Sequence, residues 1–201
     1  MPQLSRIGLT TLTLVVLCLG AASVARADTI TFTGERVTIN APPPGTNLGR
    51  CGSTAPPILL VSLPPGTGTS NLGSLTTNES HCVNRATGAL FNGLFAFDVG
   101  SGNTFFGTYT GVIGLTGPPV VGVFYPVVRT LSVTNGTGLF AGASGTLASV
   151  GTVTFFADGT SNSRESINGT ITTVPEPTTM LLLGTGLAGI AAKVRKRRKA
   201  A

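Results

Sequence analysis

The central part of this chain reads as all-β, built from antiparallel sheet, and three observations carry that reading. Short runs alternate apolar and polar residues, as in TITFTGERVTIN (29–40), LSVTN (131–135) and GTVTFFADGT (151–160), a period-two pattern that puts one face of a strand inward. Between residues 28 and 174, 23 glycines and 10 prolines interrupt every long run before a helix could form. The pairs at 92–93, 135–136, 158–159 and 168–169 are Asn-Gly or Asp-Gly, and both residue types tolerate the positive φ that tight hairpin turns need.

The elements follow in order. Residues 1–27 have the layout of a secretory signal peptide: Arg6 gives the positive start, residues 7–19 the apolar stretch, and Ala25 and Ala27 the small-x-small cleavage pattern. The mature chain then begins at Asp28. Cys18 invites a lipoprotein reading, but Leu17 stands where a small residue is needed, so the plainer reading is a cysteine in a discarded helix.

Residues 28–88 form a loop-dominated first part. Within it, between 41 and 88, seven prolines (42, 43, 44, 56, 57, 64 and 65) lie among Gly, Ser and Thr, with one strand expected there at 58–63. Residues 89–174 form the β-rich core, because 89–156 hold nine of the ten phenylalanines and both tyrosines. Residues 178–194 form an apolar run whose only charge is Lys193, at the lower limit for a membrane-spanning helix. Lys193, Arg195, Lys196, Arg197, Arg198 and Lys199 make a basic stub that stays cytoplasmic and leaves residues 28–174 on the far side of the membrane.

Charge is concentrated at the ends. Of 13 basic residues, Arg6 and Arg26 leave with the leader and six lie in the tail, so the body keeps five, all arginine. Of seven acidic residues, Glu176 lies in the tail and six remain, giving the body a charge of −1. The isoelectric point near 9.9 therefore belongs to the termini. It does not signal nucleic acid, because residues 28–174 contain no lysine with which to hold phosphate.

Val174-Pro175-Glu176-Pro177, the Leu/Gly/Ala run after it and the closing basic cluster together resemble the PEP-CTERM sorting signal of bacteria with an outer membrane. The resemblance implies processing by the membrane-embedded exosortase, with Pro175, Glu176 and Pro177 as the sorting motif. It also implies a precursor held transiently in the inner membrane, then cell-surface display or secretion, and association with exopolysaccharide. Independently of the family, two prolines around one residue hold the segment extended and accessible. A plain C-terminal anchor with a proline-rich neck is the alternative. Gly184, Gly186 and Gly189 spell GxGxxG, but no strand precedes them and no acidic residue follows, so no dinucleotide cofactor is expected.

NGTGLFAGASG (135–145) and the upstream GNTFFGTYTG (102–111) resemble the barrel family that includes allene oxide cyclases and dirigent proteins, through Gly136, Gly138, Phe140, Gly142 and Gly145. The resemblance implies about eight strands closed into a barrel without open edges, with a β-sandwich as the alternative. Leu139 stands where that family often has arginine, and none of its catalytic residues has a counterpart here.

Cys51 and Cys82, left as a pair in an oxidising compartment, are expected to form a disulfide. His81 beside Cys82 could suggest a nucleophile with its base, or a metal site with Cys51. Adjacent residues of a strand point to opposite faces, however, so the expectation is a surface histidine beside a structural bridge, and no metal. Among the carboxylates, Asp98 and Glu165 could face each other as glycosidase-like acids, and Asp158 serves its turn. Arg129, inside the apolar run VVGVFYPVVRTLSV, either pairs with a carboxylate or points outward. The reading that results is a non-enzymatic exported protein without cofactor; a small-molecule-binding barrel with an apolar ligand is the alternative.

Overall fold

The computed structural model describes residues 27–43, 50–52, 57–174, 184 and 186–189. Ala27–Val174 is one compact unit, built almost wholly of strand. Its strands are β1 (Asp28–Ala41), β2 (Pro57–Ser62), β3 (Gly66–Ser70), β4 (Gly73–Asn84), β5 (Ala89–Asp98), β6 (Thr104–Ile113), β7 (Phe124–Gly136), β8 (Ser144–Phe155) and β9 (Ser161–Thr173), with a 3-10 turn at Gly138–Phe140 before β8. Every neighbouring pair is antiparallel, and β1 pairs with β9 along its whole length, from Asp28 with Thr173 to Asn40 with Ser161. The sheet is thus a closed barrel, which removes the free edges that make open sheets aggregate.

Nine strands fill eight positions. β2 and β3 run in the same direction and share the place between β1 and β4: β2 pairs with Asn40 and Ala41, β3 with residues 34–37 of β1. The break between them is Leu63-Pro64-Pro65, where two prolines cannot donate to a ladder; the Leu63–Pro64 peptide is cis.

Two expectations are corrected here. Residues 66–84 form β3 and β4 where composition suggested loop, because a closed barrel supplies ladder partners on both sides, so that Gly and Ser, which have little preference for sheet, are carried along with the β-branched Thr between them. Of the four expected turn pairs, 135–136 and 158–159 do lie at strand ends. Asn92 and Gly93, in contrast, sit at a register shift inside β5, with Asn92 at φ 49°, and Asn168 and Gly169 lie within β9. At Asn92 the positive φ belongs to an irregularity that re-aims the strand rather than reversing it, while β9 keeps its register through 168–169.

The interior is layered. At the end where β1 begins and β9 stops, Phe32, Phe97, Phe105, Phe140, Leu131, Leu147, Ile167 and Ile171 form the larger apolar cluster. Phe105 is its hub, edge-on to Phe32 at 5.0 Å, Phe97 at 5.4 Å and Phe140 at 4.8 Å. At the opposite end Leu60, Val83, Leu90, Ile113, Val127, Val153 and Phe155 form a second cluster. Polar and charged side chains fill the space between.

Candidate functional site

The middle layer contains four charged residues that the sequence did not mark as a set. On each parent strand the charge shares the inward parity of large apolar neighbours: Arg36 with Phe32 on β1, Glu79 with Leu75 and Val83 on β4, Arg129 with Val127 and Leu131 on β7, Glu165 with Ile167 on β9. Alternation therefore carries these charges inward with the apolar face. That parity was the signal available in the sequence.

The four side chains close a ring of alternating sign. Arg36 Nη1 donates to Glu79 Oε1, and Arg36 Nη2 to Glu165 Oε2 at 3.1 Å. Arg129 Nη1 donates to Glu79 Oε2 at 2.9 Å, and Arg129 Nη2 lies 2.9 Å from Glu165 Oε1. That last contact is an ion pair off the hydrogen-bonding direction, so Oε1 has close positive charge without an aligned donor. Ser149 Oγ adds a 2.6 Å bond to Glu165 Oε2. Each guanidinium also lies over an aromatic ring, Arg36 over Phe97 and Arg129 over Tyr109.

Small residues make room for the long ones. Arg36 faces Gly68 across the ladder, Glu165 faces Gly151, and Arg129 sits between Gly111 and Ser149. A Cβ on Gly111 would come within 2.9 Å of Arg129 Cγ and against the Val128 carbonyl.

His81 is also inside the barrel, correcting the expectation of a surface histidine: it is 2% exposed. Its Nδ1 is 2.7 Å from the Tyr109 hydroxyl. Burial, with Arg129 nearby, lowers the His81 pKa to about 3, and burial raises that of Tyr109. The pair is therefore a neutral imidazole and a neutral phenol that share one hydrogen bond. Burial alone would raise the Glu165 pKa, but Arg129 and Arg36, with the Ser149 hydroxyl, outweigh it and hold the carboxyl at about 2.

Cys82, next in sequence, faces the other way and bonds to Cys51 with a Cα separation of 5.6 Å. With Leu59 and Phe91 the bridge forms a small apolar cluster on the outside of the wall. Arg50 secures the same segment through Ser80 Oγ, the Ser80 carbonyl and the Asn92 carbonyl.

The other chemical candidates are dispersed. Asp98 is exposed and its carboxylate accepts from the Gly100 amide, while Glu165 lies inside the ring, so the structure does not bring them together as an acid pair. Asp158 accepts from Thr160 N and Oγ1 and holds the turn between β8 and β9. Arg129 resolves to pairing with carboxylates. Among the described residues, no group of three or more His, Cys, Asp or Glu could hold a metal ion.

The outer wall is a second feature. At one level of five adjacent strands stand Thr108, Ser132, Thr146, Thr170 and Thr31; one rung on stand Thr110, Thr130, Ala148, Asn168 and Thr33. Such positions are spaced about 4.8 Å across strands and about 6.8 Å along them. Two shallow grooves, of about 360 and 420 Å³, share Glu35, Thr69 and Ser166 beside this face, and the second reaches Thr33 and Asn168.

The expected signal peptide, apart from Ala27, lies outside the described residues, as do Pro175, Glu176 and Pro177 and the basic positions Lys193, Arg195, Lys196, Arg197, Arg198 and Lys199. Within 178–194, Gly184 and residues 186–189 are described and helical. No helix among the described residues is long and apolar enough to cross a membrane.

Comparison with curated proteins and with solved structures returned no match. A family model does match residues 173–198, and on that match the chain carries a PEP-CTERM protein-sorting motif.

Proposed function

We propose that this is a non-enzymatic protein of the surface or extracellular matrix of a bacterium with an outer membrane, and that its barrel associates with exopolysaccharide. The matched motif carries the route: it marks an exported, membrane-anchored precursor that exosortase processes. Two structural observations support the finer reading. The charged side chains inside the barrel are engaged with one another rather than turned toward a solvent-filled site. The wall from β6 through β9 to β1 presents uncharged hydroxyl and amide groups in two ordered rows beside a polar groove, suited to many weak hydrogen bonds with a neutral sugar chain.

The alternative, a barrel holding an apolar small molecule, would use the phenylalanine-rich end. There Phe32, Phe97, Phe105 and Phe140 pack on each other, which favours a filled core. Retention of the mature protein on exopolysaccharide from an exosortase-bearing strain tests the proposal. Substituting Thr33, Thr146 and Thr170 together by lysine is expected to abolish retention while the fold persists; indifference of the unaltered protein to that polysaccharide would refute the association.

A further inference from the structure

The last strand of the barrel runs to within one residue of the sorting motif. β9 is held on both edges almost to its end: Thr172 is the register partner of Thr29 on β1 and of Ser144 on β8, and Thr173 is the partner of Asp28. Ile171 is fully buried in the larger apolar cluster, and Thr173 is itself buried. Val174 is the first residue beyond the ladder and is 43% exposed. Pro175 follows it directly.

Proteases and other peptide-binding clefts commonly take a substrate as an extended strand and pair with its free backbone edges. Up to Thr172 β9 has no free edge to offer. Taking its last residues into a cleft would unzip two ladders at once and draw Ile171 out of the core. Past Thr173 both ladders have ended, and Pro175 and Pro177, which lack amide hydrogens, cannot donate to a continuation of either.

We propose that the processing enzyme reads this chain from Val174 onward only, with the Asp28 and Thr173 rung fixing how far upstream recognition reaches. The proposal rests on the sorting reading and adds two things to it. The barrel stays shut during cleavage, and Val174 is a required spacer between the last rung and the motif.

The test follows conversion of full-length precursor by pulse-chase in an exosortase-bearing host. Thr29→Cys with Thr172→Cys places a cross-strand disulfide at the seam, with each single variant as control and retention of the Cys51–Cys82 bridge as the check on folding. The locked variant is expected to be converted at a rate within about twofold of the unaltered chain, whereas deletion of Val174 slows conversion about tenfold or more and Val174→Gly restores it. Slowing of the locked variant beyond its single-cysteine controls, or normal conversion of the deletion, overturns the proposal. Failure of the unaltered chain to be converted at all would remove the sorting reading and this inference with it. Conversion of the unaltered chain but not of the locked one would remove this inference alone.

Discussion

Arg36 on β1 and Glu165 on β9 are register partners across the seam that closes the barrel, and their side chains meet at 3.1 Å inside it. The seam thus joins the first and last strands both by its ladder and by a buried ion pair. The same two residues touch the other two members of the ring, Glu79 and Arg129. Four charges from four strands therefore meet inside the barrel at the seam between its first and last strands.

Breaking that ring should be costly. Glu165→Gln leaves Arg36 and Arg129 with one carboxylate between them, in surroundings where an uncompensated charge costs about 3–5 kcal/mol. Denaturant unfolding of the mature protein should show a loss of that size. Replacing all four members by apolar residues of similar volume is expected to be neutral or stabilising by about 1–4 kcal/mol. Such a result would show that the ring is not kept for stability.

Acid should destabilise the barrel in two stages. The His81 pKa falls from 6.5 to about 3 on folding, so the stability tied to its neutral form is complete above pH 6.5 and is lost as pH falls toward 3. The Glu165 pKa falls from 4.5 to about 2, so its contribution is complete above pH 4.5 and is lost toward pH 2. Each group binds one more proton in the unfolded chain across its window, a slope of about 1.4 kcal/mol per pH unit. Unfolding midpoints should decline gently from pH 6.5 to 4.5 and more steeply below. His81→Asn should flatten the first stage and leave, below pH 4.5, only the slope that Glu165 contributes.

The disulfide should matter more than its position on the outer wall suggests. Cys51 and Cys82 are 31 residues apart, and closing a loop of that length is worth roughly 3–4 kcal/mol in the chain-entropy model. Cys51→Ser with Cys82→Ser, or full reduction, should lower stability by that amount. It should also make the segment around residue 50 accessible to proteases, because Leu59 and Phe91 lose their cover.

Gly111 should tolerate no side chain. Alanine there would press on the Val128 carbonyl and on the stem of Arg129, forcing the wall or the ring to shift. A loss of about 1–3 kcal/mol is expected, read from denaturant unfolding of Gly111→Ala beside the unaltered protein.

Much of this was legible in the sequence, for reasons tied to particular residues. Alternation around Phe32, Leu131 and Val153 gave the strands, and the spacing of Pro175, Glu176 and Pro177 from the basic end gave the sorting motif. The pairing of Cys51 with Cys82 followed from compartment and parity. The strands over 66–84 were hidden because Gly and Ser, which have no preference for sheet, interrupt the β-branched Thr and take sheet structure only when neighbours complete both edges. His81 was misplaced because a lone polar residue between Ser80 and Cys82 gives no sign of the phenol that receives it.

The chain by itself determined its all-β character, its charged ends and its export route, since each is written in local pattern or in a contiguous motif. The tertiary structure alone decided that Arg36, Glu79, Arg129 and Glu165 belong together. They lie up to 129 residues apart in sequence, and nothing local encodes their meeting. It follows from closure of the barrel, which turns one face of every strand toward a shared interior where each charge must find its opposite.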